Sequence, residues 1–180
     1  MKGNEHNPEQ KIIKLTIGCG VEELMEEAKL KQIIQNYAKK VFKEKGVRIP
    51  NFKVEKDETL SQDNIALYIN EKLIKKGKHT RLKVMLKQIE QNLEDLLFPE
   101  DVDEAIDALN KEYPYIRREM KQKRLDLFTV HKVLKTLVKE EVSIAPFKQI
   151  LESIIYHYDR KKEIDELIFL VRIDLTESIV

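Results

Sequence analysis

Cysteine is almost absent: Cys19 stands alone in 180 residues, which excludes an intrachain disulfide framework and suits a reducing compartment. An excess of either charge is also missing. Thirty-three Lys plus Arg oppose 32 Asp plus Glu, a formal net charge of +1, and the two signs alternate along the chain. That balance gives no global pull toward nucleic acid or an anionic membrane. The high charged fraction, 36%, fits thermal adaptation and an AT-rich genome alike. Residues 1–12 are polar and carry no signal-peptide pattern, and the longest apolar run near the end, 167–171, is far too short to cross a bilayer. A cytoplasmic protein with no direct membrane insertion is expected. The length suffices for one large or two small domains with apolar cores.

The organisation changes character near Gly77. Residues 1–11, with Gly3, Asn7 and Pro8, read as a flexible tail. Over 12–78 a small α/β subdomain is expected. Ile13, Leu15 and Ile17 alternate as in a strand with one buried face, and Gly18 and Gly20 end it. Helical spacing follows over 22–45 through Leu30, Ile33, Ile34, Tyr37, Val41 and Phe42, with Gly46 placed to close the helix in a left-handed conformation. Phe52 and Val54 suggest a second strand, and Ile65, Leu67 and Ile69 lead into a hairpin whose turn reads as Glu71-Lys72. From 79 to 180 the period is helical. Leu82, Met85, Leu86, Ile89, Leu93, Leu96 and Leu97 form one long stripe stopped by Pro99. Helices are then expected on Val102, Ile106 and Leu109, ending before Pro114; on Val130, Val133, Leu134, Leu137 and Val138, capped by Thr129 or Asp126; on Phe147, Ile150, Leu151, Ile154, Ile155 and Tyr158, capped by Ser143; and on Ile164, Leu167, Ile168, Val171, Leu175 and Ile179. The fold class is α+β: a small β-α-β-β unit followed by a helical bundle.

No constellation carries catalysis, a metal or a cofactor. Gly18-Cys19-Gly20 between strand and helix could cradle a phosphate, but the dinucleotide fingerprint needs a glycine where Glu23 stands, so a tight turn is the plainer reading. Cys19 lies beside Glu22 and Glu23, which oppose a thiolate, and reads as a buried or half-buried structural cysteine. His6, His79, His131 and His157 are scattered, without metal-ligand spacing. Two basic runs stand out. Lys72, Lys75, Lys76, Lys78 and Arg81 sit beside hairpin signals, and Arg117, Arg118, Lys121, Lys123 and Arg124 enclose Glu119. Each reads first as a solvated face, the second also as a docking patch for an acidic partner.

One stretch resembles a known family. Leu109-Asn110-Lys111-Glu112-Tyr113-Pro114, the run from His131 through Ile144, Ile150-Leu151-Glu152 and then Val171-Arg172 with Leu175 and Ile179 resemble the cytoplasmic part of the FHIPEP family. These are the large export-gate proteins of bacterial flagellar and virulence type III secretion, the FlhA/InvA/LcrD group. Leu15 to Gly20, 39–54 and 65–77 resemble the strand, helix, turn and hairpin of the family's first cytoplasmic subdomain. Measured against the family pattern, the sequence passes from Gly77 straight into its helical part where relatives insert a small subdomain. It also carries neither their membrane domain nor their final subdomain, so a shortened relative or part of a longer chain is expected.

The resemblance implies a non-enzymatic component of protein export, acting through self-assembly or docking of export-apparatus partners, in the cytoplasm at the periphery of the inner-membrane gate. Homo-oligomers or export-apparatus proteins are the implied partners. Export chaperones and substrates follow less directly, since the family's docking groove uses the inserted subdomain. The candidate contact, from charge clustering beside the family-like bundle, is Arg117, Arg118, Lys121 and Arg124. The alternative is a soluble adaptor that keeps the fold but acts outside secretion, through the exposed hairpin strand.

Overall fold

The computed structural model describes residues 13–21, 26–50, 52–161 and 163–177. The chain packs as two compact units: residues up to Lys39 with Ile49–Gln91, and Lys40–Arg48 with the residues from Asn92 onward.

The first unit is built on a four-stranded sheet. Alternating Ile13, Leu15 and Ile17 form β1 (Ile13–Ile17), all three inside. Strand β1 runs parallel to β2 (Phe52–Lys56) and antiparallel to β3 (Asn64–Ile69). A parallel pair needs a crossover, and α1 (Glu27–Lys45) lies between the two strands in sequence. The hairpin contributes a full fourth strand, β4 (Lys72–Lys78), so the order across the sheet is β2-β1-β3-β4 with β4 at an edge. The turn is Asn70-Glu71, not Glu71-Lys72: both residues have positive φ, 48° and 65°, as a two-residue hairpin turn of type I′ requires, and asparagine tolerates that region.

The stripe from Leu82 to Leu97 is buried at every expected position, yet it is not one helix. A 3-10 turn (His79–Arg81) leads into α2 (Leu82–Leu86) and a second 3-10 segment (Lys87–Asp95), in which Asn92 leaves helical geometry at φ −133°. Asparagine competes locally for backbone partners, and here it coincides with the boundary between the units. The apolar pattern demands only that these side chains face inward, which a run of short turns also satisfies.

The second unit is helical: α3 (Pro99–Glu112), α4 (Tyr115–Lys123), α5 (Leu127–Lys139), α6 (Phe147–His157) and α7 (Ile164–Glu177). Its centre holds Ile106, Ile116, Val133, Leu134, Leu137, Ile150, Ile154 and Val171. Pro99 opens α3 where its missing N–H costs nothing, and the Asp101 carboxylate accepts the Phe98 N–H. Of the two candidate caps for α5, Asp126 acts: it accepts from the Thr129 N–H at 2.8 Å. Helices α4 and α5 end in Schellman closures, with Leu125 N–H on the Met120 carbonyl and Val142 N–H on that of Leu137. The left-handed positions are filled by Arg124 and Glu141 where glycine is usual.

Ser143 does not cap α6. That helix begins at Phe147 with Pro146 at its N-cap, and the Ser143 hydroxyl instead donates to the Glu44 carbonyl while accepting from the Ala145 N–H. Ile144 N–H donates to Lys45 O at 3.0 Å. The segment 143–145 therefore satisfies the last carbonyls of α1. Gly46, at φ 78°, permits this approach, since a Cβ there would lie 2.5 Å from the Ile144 carbonyl carbon.

Candidate protein-contact surface

Arg117 is braced against its own unit. It donates to Asp103 and Asp107 on α3, each at 2.6 Å through Nη2, and its backbone N–H meets Asn110 Oδ1. Burial works against its charge, but the two carboxylates outweigh that and raise its pKa. Arg118 and Lys121 lie exposed on α4 and Arg124 at its C-cap; among the described residues Arg118 makes only a long 3.7 Å approach to Glu119. The structure thus places three of the four residues on one short helix and the fourth at its end, and gives the first of them partners on α3. Close by, Tyr115 donates to Glu152 on α6, and that bond raises the Tyr115 pKa from 10.0 to about 12. Lys148 lies over the Tyr113 ring at 3.8 Å, tying the start of α6 to the α3–α4 junction.

A groove of about 290 Å³ opens in the second unit, walled by Phe42, Leu97, Val102, Leu134, Ile144 and Phe147, with Lys43, Arg48 and Asp101 also lining it. Phe42 is 49% exposed, although its place in the α1 apolar series predicted a core position. Val41 and Phe42 are adjacent, about 100° apart on a helix, and Val41 took the inner position. Arg48 spans the rim, 6.0 Å from the Phe42 ring and bonded to Glu104 at 3.0 Å. Sequence reading missed this groove because its walls come from four separated segments. Phe128, Tyr156 and Phe169 are exposed as well, and no motif had marked them.

One cluster has the composition of a hydrolase triad but not its wiring. Ser153 and His157 on α6 both bond to Asp174 Oδ2 on α7, at 2.6 Å and 3.0 Å. Nucleophilic activation needs the hydroxyl to donate to the imidazole, whereas here it donates to the carboxylate, which pins α6 to α7. His79 and His131 bond to the carbonyls of Asp63 and Leu97, and His6 lies outside the described residues. No metal-ligand cluster occurs among the described residues. Cys19 is exposed, against the expectation of burial. The cause is the turn around it: Gly18 and Gly20 donate inward to the Asn64 and Gln62 carbonyls. Those N–H groups are therefore committed, and a Cβ at Gly18 would lie 2.2 Å from Ser61 O, which accounts for the glycine without any phosphate.

A mixed four-stranded sheet followed by this five-helix assembly is the α+β architecture of export-gate cytosolic domains. The Shigella flexneri MxiA protein matches with a TM-score of 0.76 at 19% identity, over 93% of this chain and 64% of that one. The nonameric EscV cytosolic domain from a type III secretion system matches at 0.79 and 17%, over 97% and 67%. A Chlamydia pneumoniae CdsV, solved in complex with CdsO, matches at 0.81 and 17%, over 93% and 67%. At these identities the likeness establishes the fold. The FHIPEP family profile matches residues 79–180, and the chain belongs to that family. Flagellar biosynthesis protein FlhA of Buchnera aphidicola subsp. Acyrthosiphon pisum is 27% identical over 92 residues, and that of Proteus mirabilis 31% over 91. Each alignment covers 51% of this chain and 13% of the relative, so the chain spans a small part of these proteins. No helix among the described residues is long and apolar enough to cross a membrane.

Proposed function

We propose that this chain is a non-enzymatic component of a bacterial export apparatus of the flagellar or virulence type III kind. It works by associating with copies of itself or with export-apparatus proteins at the cytoplasmic side of the gate. The observation that carries this reading is the family match over residues 79–180, which contain the five helices α3 to α7. Solved relatives described as nonameric, and one in complex with CdsO, support protein association as the mode of action. The division we propose is an α/β subdomain at 12–78 and a helical subdomain at 79–180, the last supplying the contact; the tail expected over 1–11 lies outside the described residues.

Arg118, Lys121 and Arg124 form the proposed polar contact, while Arg117 ties α4 to α3 through Asp103 and Asp107. Charge reversal should therefore spare Arg117, whose loss would disturb the fold as well. Native mass spectrometry across a concentration series tests the proposal. The chain should form oligomers, and Arg118→Glu with Lys121→Glu should weaken them about tenfold, the scale of a few interfacial charge pairs. A chain that stays monomeric throughout, or oligomers indifferent to both substitutions, would overturn the assigned contact.

A further inference from the structure

We infer that β4 is a docking edge for an extended acidic segment of a partner protein, which adds to the sheet as a fifth strand. Strand β4 closes the order β2-β1-β3-β4 and pairs with β3 on one side. A sheet edge presents a row of backbone donors and acceptors to any extended chain that reaches it. Five of the seven β4 residues are exposed, and Leu73 is 50% exposed.

The charges select the occupant. Cross-strand partners share a face, so Lys72 and Lys75, opposite Ile69 and Leu67, project on one face, and Lys76 and Lys78, opposite Ala66 and Asn64, on the other. Lys78 pairs with Asp63 at 3.2 Å and Lys76 lies near Asp57; among the described residues no carboxylate is within ion-pair distance of Lys72 or Lys75. A second copy of β4 would bring lysine against lysine on both faces, which opposes self-pairing. A strand with carboxylates on both faces meets an opposite charge at each step, and an apolar side chain on it can cover Leu73. The register shift between Leu67 and Tyr68 places Ile74 as the extra residue and bends the edge midway, which limits the paired stretch to a few residues on either side. This inference does not depend on the export reading.

The test uses the full chain, labelled with nitrogen-15, and a capped synthetic peptide of alternating Glu and Thr with one central Leu. Hydrogen-exchange protection and amide shifts confined to residues 72–78 are the expected result, with affinity falling about tenfold on raising the salt from 0.05 to 0.5 M. The same peptide N-methylated at alternate residues keeps its charge and loses its strand donors, and should not bind. Lys75→Glu with Lys76→Glu, both at exposed positions, should abolish binding of the acidic peptide and confer binding of a Lys-for-Glu version. Equal binding of the N-methylated peptide, or protection elsewhere than β4, would overturn the inference; so would failure of the acidic peptide to protect β4.

Discussion

Two backbone positions carry opposite lessons at the residue scale. Glu141 holds the left-handed site of a Schellman closure at φ 63°, where an L side chain costs about 1–2 kcal/mol. Glu141→Gly should raise stability by about 1 kcal/mol once the extra freedom of the unfolded glycine is counted, read as a higher urea midpoint with an unchanged slope. Gly46 is the converse. Its φ of 78° and the 2.5 Å approach of the 144–145 backbone leave no room for a methyl group. Gly46→Ala should cost on the order of 2–4 kcal/mol in the same measurement. Tyr115 gives a pH signature. Its hydrogen bond to Glu152 holds the neutral phenol, so the folded pKa is raised above the unfolded value. The stabilisation is therefore complete below pH 10 and is lost as pH rises from 10.0 through about 12. Tyr115→Phe should flatten that alkaline decline in unfolding midpoint; an unaltered decline would show that the bond makes no contribution.

At the scale of elements, apolar period was a sound guide to which residues are buried and a poorer one to continuity. The α5 stripe is observed as read, with Val130, Val133, Leu134 and Leu137 all within 1% of full burial. Leu134→Asp should cost several kcal/mol, on the order of 3–5, because an unpaired carboxylate would stand on that face. An unchanged thermal midpoint would contradict the helical register. The stripe from Leu82 to Leu97 was equally apolar, but period alone does not register a break such as the one at Asn92. Turn chemistry behaved in the same way. Gly46 announced its left-handed site, whereas Arg124 and Glu141, being ordinary surface residues, gave no sign of theirs. Ser143 looked like a helix cap from its spacing and proved to be a long-range partner of α1, a role that only tertiary contact reveals.

For the whole molecule, the α+β class and the family were legible because short amphipathic helices in fixed spacing, with Tyr113-Pro114 between them, are local features. The candidate contact was legible only in part. The sequence shows the charge cluster of Arg117, Arg118, Lys121 and Arg124 that we propose as a contact, but the inward engagement of Arg117 depends on Asp103 and Asp107, a helix away. The groove beside Phe42 was illegible for the same reason, since four segments distant in sequence wall it. The central claim is that this chain acts within protein export. Its most direct test is affinity capture of the tagged chain from its native organism, membrane fraction included, with mass-spectrometric identification of what is bound. Recovery of export-gate, export-ATPase or secretion-chaperone proteins is expected, reduced by Arg118→Glu with Lys121→Glu. Recovery of unrelated soluble proteins alone would contradict it and favour an adaptor working outside secretion.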